Sequence, residues 1–538
     1  MYDILIKNGT VVDGTGEASY KADVAVKDGK IAKISANIDE AAAKTIDAAG
    51  RLVTPGFIDL HSHSDVYVIF GTDAHNFLQQ GITTEIAGHC GVSPAPSMLA
   101  HKSTYKEVAE LVTEEEFNKI SEDCSTIAGY TKHMESMKLG TNMALFVGQG
   151  AIRGRVMESS DGKPNEKQLE AMRALVREAM EHGFLGISTG LIYPPSVYAD
   201  EDEIVELAKE AAKYGGIYAS HIRGESDTVI DAVTEAISVG ERSGCSVLIS
   251  HHKVAGPQNL GKSAVTLKLI DEANARGVNV RADQYPYLAG ATDLISSLPP
   301  QFATGGRPAL IENLKKPEFR AEVTAVLEAD NFGESLLKNS TFKGCLILAA
   351  ANTPELIGKN IAEVAELRGS DPYETVYDVL VENNGAVGMA YFMINEADMD
   401  AIIAHDLIMP GTDAAHRTKK VDLEQVGGGH PRSTGTFPKH LRLIRERKLF
   451  SVEKAIYRAT GMAAETAKID GVGYLKEGLA ADICILDWEN IAETSDFLHP
   501  FRPNKGFDYV LVNGRIAVEN DVATGVLAGK LLKMRKGN

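Results

Sequence analysis

The sequence predicts an α/β fold: a (β/α)8 TIM barrel with a small β-sandwich domain formed by both chain ends and an inserted subdomain before the last barrel strand. Two observations predict this fold. Short apolar segments alternate with amphipathic helices through the centre of the chain, which is typical of a parallel sheet. Both ends instead carry short strand-like segments separated by Asn-Gly and Asp-Gly turns.

Eight central segments have the length and composition of barrel strands. The helices between them end at glycines, as helices in such connections commonly do. In chain order the segments are VTPGFIDLH, TTEIAG, NMALFVG, LGISTG, GIYASHI, SVLISHH, NVRADQY and DLIMPGTD. An open doubly wound sheet is the alternative, but no Gly-rich phosphate loop follows the first strand.

The two ends of the chain have similar sequence patterns, since LVNGRIAVEND near the C-terminus is similar to LIKNGTVVDG near the N-terminus. We expect residues 1–55 and 466–538 to join into one β-sandwich domain and residues 56–465 to form the barrel. The stretch between strands seven and eight is too long for a simple connection. It predicts an inserted, lid-like subdomain around residues 288–345.

Composition excludes several classes of function. The formal net charge of −19 over 538 residues disfavours a nucleic-acid partner. No signal-peptide pattern and no apolar run of membrane-spanning length occurs, so no membrane partner is expected. Five scattered cysteines suit a reducing compartment, which predicts a cytoplasmic location. The partner expected is a small-molecule substrate, and the oligomeric state stays open.

Polar side chains stand at the carboxyl ends of several predicted strands. In GFIDLHSHSD two histidines alternate along an extended segment, so their rings face the same way. Barrel active sites lie at these strand ends, so we expect the side chains there to converge. One histidine alone is compatible with a structural role, whereas several converging imidazoles indicate a zinc ligand set. The residues are His61, His63, Cys90, His221, His251 and Asp413.

These residue types predict metal-assisted hydrolysis. A zinc ion with an open coordination position lowers the pKa of bound water to about 7 and polarises a carbonyl group. A neighbouring carboxylate can take the proton of that water and pass it to a leaving nitrogen. Asp413 is the carboxylate of the set and therefore the predicted acid/base. This reasoning alone names no substrate.

Longer motifs narrow the prediction to a family. They are GFIDLHSHSD, GITTEIAGHCGVSPAP, GISTGLIYPPS, YASHIRGE, ISHHK, DQYPYLAGAT and HPRSTGTFPKHL, spread over residues 56–441. Together they resemble the N-acyl-D-amino-acid deacylases, or D-aminoacylases, of the amidohydrolase superfamily. Many relatives in that superfamily carry a metal-bridging lysine on strand four, but GISTGL offers none here.

The resemblance implies the roles of the site residues. It implies hydrolysis of N-acyl-D-amino acids to a carboxylate and a free D-amino acid. Zinc would be held tightly by Cys90, His221 and His251, with a second, weaker position at His61 and His63 that Cys90 can bridge. The resemblance also implies Asp413 as acid/base. The residues implied to bind the substrate carboxylate are Lys253, Arg432 and a tyrosine, with Tyr285 preferred over Tyr287.

The preference for a D-amino-acid side chain has a single sequence clue. No lysine or arginine occurs between Arg281 and Arg307, a segment expected to form part of the pocket wall. This absence favours neutral or apolar side chains over acidic ones. The alternatives are a D-glutamate or D-aspartate deacylase, a dipeptidase or a cyclic-amide hydrolase. A scaffold without catalysis is disfavoured because the metal ligands and Asp413 are all present.

Overall fold

The computed structural model describes residues 1–71, 73–96, 112–158, 161–303, 305–329, 335–417 and 429–535. The strands of this part of the chain are β1 Tyr2–Val11, β2 Tyr20–Lys27, β3 Lys30–Ser35, β4 Ala42–Asp47, β5 Leu52–Pro55, β6 Phe57–Asp59, β7 Ile82–Ala87, β8 Asn142–Leu145, β9 Val147–Gly148, β10 Gly186–Gly190, β11 Ile217–His221, β12 Ser246–Ile249, β13 Val280–Gln284, β14 Ala289–Asp293, β15 Cys345–Ala350, β16 Val387–Phe392, β17 Ile408–Pro410, β18 Ile483–Leu486, β19 Phe507–Val512, β20 Arg515–Glu519 and β21 Val522–Ala523.

The α-helices of the described residues lie mainly between these strands. They span Asp65–Val68, His75–Leu78, Glu114–Asp123, Ile127–Ser136, Gln149–Met157, Glu166–Glu181, Glu201–Ala212, Val229–Ser243, Ser263–Ala275, Gly306–Asn313, Pro317–Ala329, Leu336–Ser340, Ile361–Arg368, Pro372–Glu382, Glu396–Ala404, Arg432–Arg447, Val452–Ala459 and Gly461–Ala467. Within the same residues, no helix is both long and apolar enough to cross a membrane.

The two ends of the chain build one nine-stranded sheet. Its order is β21-β20-β19-β18-β5-β1-β2-β3, with β4 beside β1. The N-terminal and C-terminal parts meet where β5 pairs antiparallel with β18. The Asp28-Gly29 and Asn513-Gly514 hairpins predicted from the sequence are confirmed, because both residues of each turn have the positive φ that a tight hairpin requires. The turn predicted at Asn8-Gly9 is wrong, because both residues lie inside β1, where the pairing with β2 shifts register between Ile6 and Gly9.

The barrel strands occur in the predicted order. Strands β6, β7 and β8 form one parallel sheet, and β9 to β13 with β17 form another. The first and last strands meet just beyond their carboxyl ends. There the His63 N–H donates to the Ala414 carbonyl and the Asp413 N–H donates to the His61 carbonyl, each at 2.8 Å. These bonds join the two sheets at the mouth of the barrel.

The insertion between β13 and β17 contains a small antiparallel sheet of order β14-β16-β15. Strand β14 pairs with β16 through residues such as Ala291 and Ala390. This sheet runs from residue 289 to residue 392, and the predicted subdomain around residues 288–345 stays a prediction. The limits of the terminal domain and of the barrel stay predictions.

Candidate metal centre

Three of the predicted site residues adopt a backbone conformation that L-residues rarely adopt. Cys90, His251 and Asp413 have φ values of 53°, 37° and 50°. Each stands just beyond the end of a barrel strand, at β7, β12 and β17. A left-handed residue other than glycine costs about 1–3 kcal/mol, and such residues persist where the surrounding structure enforces them. The conformations turn all three side chains toward the barrel mouth.

The predicted metal ligands cluster around Cys90 and Asp413. The Cys90 Sγ lies 3.5 Å from the His61 Nε2, 3.5 Å from the His251 Nε2 and 3.8 Å from the His221 Nδ1. The Asp413 Oδ1 lies 3.3 Å from the His61 Nε2. His63 completes the set, since its Nε2 is 3.0 Å from the same Asp413 oxygen.

These separations suit a zinc ion. A zinc bound at about 2.3 Å to sulfur and about 2.0 Å to nitrogen in a tetrahedral site holds the two ligand atoms about 3.5 Å apart. The sulfur–nitrogen distances around Cys90, 3.5–3.8 Å, match that value. Imidazole nitrogens with a thiol sulfur are also the donor types that zinc prefers. The ligand atoms of His61, Cys90, His251 and Asp413 all lie within 4.8 Å of one another, so these four residues fit the metal. His221 belongs to a second such group, with Glu225 and His251.

Burial sets the protonation of these ligands. It lowers the pKa of His61 and of His221 well below the usual histidine value, so both rings are neutral and carry a free lone pair. Burial also raises the pKa of the Cys90 thiol well above its usual value. A thiolate at this position requires a cation, and a coordinated metal ion deprotonates a thiol outright.

Two buried carboxylates contact the Nδ1 atoms of His61 and His251. Asp283 lies 3.2 Å from the His61 Nδ1 and accepts the backbone N–H of His251 at 2.9 Å. Glu225 lies 3.0 Å from the His251 Nδ1. These contacts direct the Nε2 atoms of both rings toward Cys90, which is how the supporting groups of metal sites usually act. Sequence reasoning assigned neither carboxylate a role in the metal site, although Asp283 lies in β13 and Glu225 follows β11, which ends at His221.

The predicted acid/base Asp413 pairs with the predicted substrate ligand Arg432. The guanidinium NH1 donates to the Asp413 Oδ2 at 2.6 Å, and both side chains are buried. Burial by itself raises the pKa of Asp413, but Arg432 and the neighbouring imidazoles hold that pKa well below its usual value. Asp413 is therefore an ionised carboxylate with one oxygen toward the histidines and one toward Arg432.

Lys253 and Tyr285 lie beside this pair. The Lys253 Nζ donates to Glu225 at 2.6 Å and stands 5.6 Å from the centre of the Tyr285 ring. The Arg432 guanidinium stands 5.0 Å from the same ring. Lys253, Tyr285 and Arg432 line one cavity of about 320 Å³ together with the metal ligands Cys90, His63, His221 and His251 and with Asp413. The structure thus brings nine of the ten predicted site residues, including His61, to one place.

Tyr287 is the exception. Its hydroxyl donates to the Pro431 carbonyl at 3.2 Å, and its ring packs against His430 and under the Lys439 ammonium. It is not among the described residues that line the cavity. Strand β13 ends at Gln284, so strand alternation no longer applies to the loop and does not bring Tyr287 to the face of Tyr285. The structure does not support a substrate contact from Tyr287.

The remaining wall of the cavity is mostly apolar and comes from several segments of the barrel and the insertion. Ile192 and Tyr193 follow strand β10, Leu336 begins a helix of the insertion, and Tyr391 and Met393 belong to β16 and its end. The wall is completed by Val92 and by a stretch of strand β14, Gly290 to Asp293.

Histidines and an arginine outside the predicted set have structural partners. His252 bonds Thr266 at 2.9 Å, and His416 bonds Glu85 at 2.8 Å. Arg223 forms its ion pair with Glu235 rather than with Glu225.

The chain is similar in sequence and in fold to known amidohydrolases. The model of the amidohydrolase family matches residues 44–518. D-Aminoacylase of Alcaligenes xylosoxydans xylosoxydans is 33% identical over 532 residues, which cover 99% of this chain and 97% of that protein. The solved N-acyl-D-glutamate deacylase of Bordetella bronchiseptica, complexed with zinc and a phosphonate inhibitor, is 30% identical with a TM-score of 0.81 over 99% of both chains.

A structure that concerns the binuclear metal centre of D-aminoacylase is 31% identical with a TM-score of 0.80, covering 99% of this chain and 100% of that one. These likenesses confirm the predicted barrel fold and the family resemblance stated from the motifs. The chain belongs to the amidohydrolase family and is a metal-dependent hydrolase of amide bonds, with D-aminoacylases among its relatives.

Proposed function

We propose that this chain is a zinc-dependent N-acyl-D-amino-acid deacylase that prefers neutral or apolar side chains. It hydrolyses the amide bond to a carboxylate and a free D-amino acid. One observation carries the proposal: a single cavity joins the metal donors and Asp413 to two buried cations, Lys253 and Arg432. The relatives named as deacylases of N-acyl-D-amino acids support the same substrate class.

In this proposal zinc is held tightly by Cys90, His221 and His251, with a second, weaker position at His61 and His63. When bound, the metal supplies a Lewis acid for the amide carbonyl and a water of lowered pKa. Asp413 accepts the proton of the attacking water and delivers it to the leaving nitrogen. Its ionised state at neutral pH suits the first of these steps.

The cations bind the α-carboxylate of the substrate. Arg432 donates to Asp413 and to the Ala291 carbonyl. Lys253 donates to Glu225 and lies 2.7 Å from the His251 Nδ1. A guanidinium has five N–H groups and an ammonium has three, so each cation keeps a further donor for a ligand. The buried carboxylates hold both cations in place before the substrate arrives, which lowers the entropic cost of binding. The Tyr285 ring lies within 6 Å of both cations and lines the same cavity.

The apolar wall accommodates the D-amino-acid side chain. Ile192, Leu336 and Met393 present hydrocarbon and thioether groups to the cavity. Among the described residues of its lining, Lys253 and Arg432 are the lysine and arginine, and both are assigned to the α-carboxylate. A pocket with no further cation suits a neutral side chain.

The five cysteines are free and buried, which supports the proposed cytoplasmic location.

The decisive experiment is a substrate panel with the zinc-loaded protein. We expect turnover of N-acetyl-D-methionine and none of N-acetyl-L-methionine, with N-acetyl-D-glutamate a poorer substrate than the methionine compound. Inactivity on every acyl-D-amino acid, with turnover of a dipeptide or a hydantoin, would refute the proposal. A preference for N-acetyl-D-glutamate would refute the side-chain assignment alone.

A further inference from the structure

We infer that Asp293 disfavours substrates with an acidic side chain. Its carboxylate lines the cavity and neutralises Arg307, which lies at the edge of the cavity. The inference rests on the proposed deacylase function and adds the residue that sets its charge preference. It starts from an ion pair: the Arg307 NH2 donates to the Asp293 Oδ2 at 2.8 Å. Asp293 lines the cavity, whereas Arg307 is not among the described residues that do so.

Strand β14 runs from the proposed site of the substrate α-carboxylate to the Asp293–Arg307 ion pair. The carbonyl of Ala291 lies 3.4 Å from the Arg432 NH2, next to the proposed α-carboxylate site. Asp293 is two residues further along the strand and about 7 Å away, so its side chain is on the same face as that of Ala291, and both residues line the cavity. Thr292 lies between them and bonds the Tyr193 hydroxyl at 3.3 Å. A side chain that runs outward along β14 therefore approaches the Asp293 carboxylate.

The charges along this path disfavour a second substrate carboxylate. Lys253 and Arg432 already pair with Glu225 and Asp413 and take up the α-carboxylate. The next charged group that lines the cavity is Asp293, which carries the same sign as an acidic side chain. Like charges in a partly desolvated site repel, and such repulsion is a common source of specificity.

Without Asp293, Arg307 would be an uncompensated positive charge at the edge of the cavity. It lies in the helix Gly306–Asn313 of the insertion, and 40% of its side chain and 46% of that of Asp293 are exposed. Exposed ion pairs contribute little to stability, so the fold should tolerate loss of the pair. In Asp293→Asn the repulsive carboxylate disappears and the Arg307 charge is no longer compensated.

The test compares two isosteric substrates that differ in charge, N-acetyl-D-glutamate and N-acetyl-D-glutamine. The readout is the ratio of their kcat/KM values in wild type, Asp293→Asn, Arg307→Gln and the double variant. We expect the glutamate-to-glutamine ratio to rise on the order of tenfold in Asp293→Asn. It should fall in Arg307→Gln, where Asp293 is left unpaired, and return toward the wild-type value in the double variant.

The outcomes separate this inference from the proposed function. An unchanged ratio in Asp293→Asn, or a ratio that rises or stays the same in Arg307→Gln, overturns the inference while deacylation stands. The Arg307→Gln arm decides the matter by itself if Asp293→Asn does not fold. A wild-type preference for the glutamate compound also overturns it. A wild type that cleaves neither these substrates nor N-acetyl-D-methionine overturns the proposed function and the inference with it.

Discussion

Arg432 donates a hydrogen bond of 2.6 Å to Asp413 inside the cavity that also holds the candidate metal ligands. The two residues are 19 positions apart and come from the end of β17 and the start of the helix Arg432–Arg447. One guanidinium thus orients the proposed acid/base and faces the proposed substrate carboxylate. Binding of the substrate and placement of the catalytic carboxylate are coupled through a single side chain.

Asp413→Asn should abolish most turnover and leave the tight zinc in place. The amide cannot accept the proton of the attacking water, and loss of a general base typically costs 10²–10⁴-fold in rate. Cys90, His221 and His251 do not depend on Asp413 for their mutual geometry, since Cys90 contacts both rings directly. Steady-state kinetics and elemental zinc analysis on the same sample check this. Full activity in the variant would remove Asp413 from the mechanism.

Arg432→Gln should discriminate against substrates that carry an α-carboxylate. We expect kcat/KM for N-acetyl-D-methionine to fall on the order of 100-fold, because a charge-assisted contact and the orientation of Asp413 are both lost. The carboxamide N-acetyl-D-methioninamide has no carboxylate to bind, so its kcat/KM should fall less. Equal losses for the two substrates would show that Arg432 acts on Asp413 alone.

Cys90→Ala should deplete the metal, and Cys124→Ala is its matched control. Both cysteines are buried, but Cys90 contacts three imidazoles whereas Cys124 packs in the core beside the helix Glu114–Asp123. We expect Cys90→Ala to lose stoichiometric zinc on dialysis and, with it, the zinc-dependent rise in melting temperature. Cys124→Ala should retain both. Retention of zinc by Cys90→Ala would refute the assigned ligand.

Asp482 should make stability depend on pH between about 4 and 6. Its carboxylate accepts bonds from the Asn142 side chain at 2.9 Å and from the Asn513 backbone at 2.6 Å. Burial raises its pKa to about 6, above the value of about 3.9 for an unfolded aspartate. The native state therefore binds more protons than the unfolded state in this window, and the contribution of Asp482 to the free energy of unfolding falls as pH rises.

The Asp482→Asn variant isolates this effect. Its free energy of unfolding relative to wild type should increase by up to about 3 kcal/mol between pH 4 and pH 6.5, because asparagine does not titrate. Urea unfolding at a series of pH values measures the difference. The same substitution at the exposed Asp39 serves as control for the change of residue type. A flat difference for Asp482→Asn would contradict the prediction.

The candidate site was largely predictable because parallel strands order their carboxyl ends. His61, His221, His251 and Asp413 are distant in the chain, but each stands at or just beyond the end of a barrel strand. Closure of a barrel brings such positions to one mouth whatever lies between them. Tyr285 and Tyr287 both follow the end of β13, where strand alternation no longer decides the direction of a side chain, and only Tyr285 is among the described residues that line the cavity.

Local periodicity and turn chemistry were enough to predict the order of the barrel strands, the Asp28-Gly29 and Asn513-Gly514 turns and the donor types at the strand ends. The charge pairs could be identified only from the folded chain: Asp413 with Arg432, Glu225 with Lys253 and Asp293 with Arg307. Such pairing depends on the packing of side chains to within a few tenths of an ångström. No spacing along the chain encodes that packing, so these partners became visible only once the barrel and its insertion were assembled.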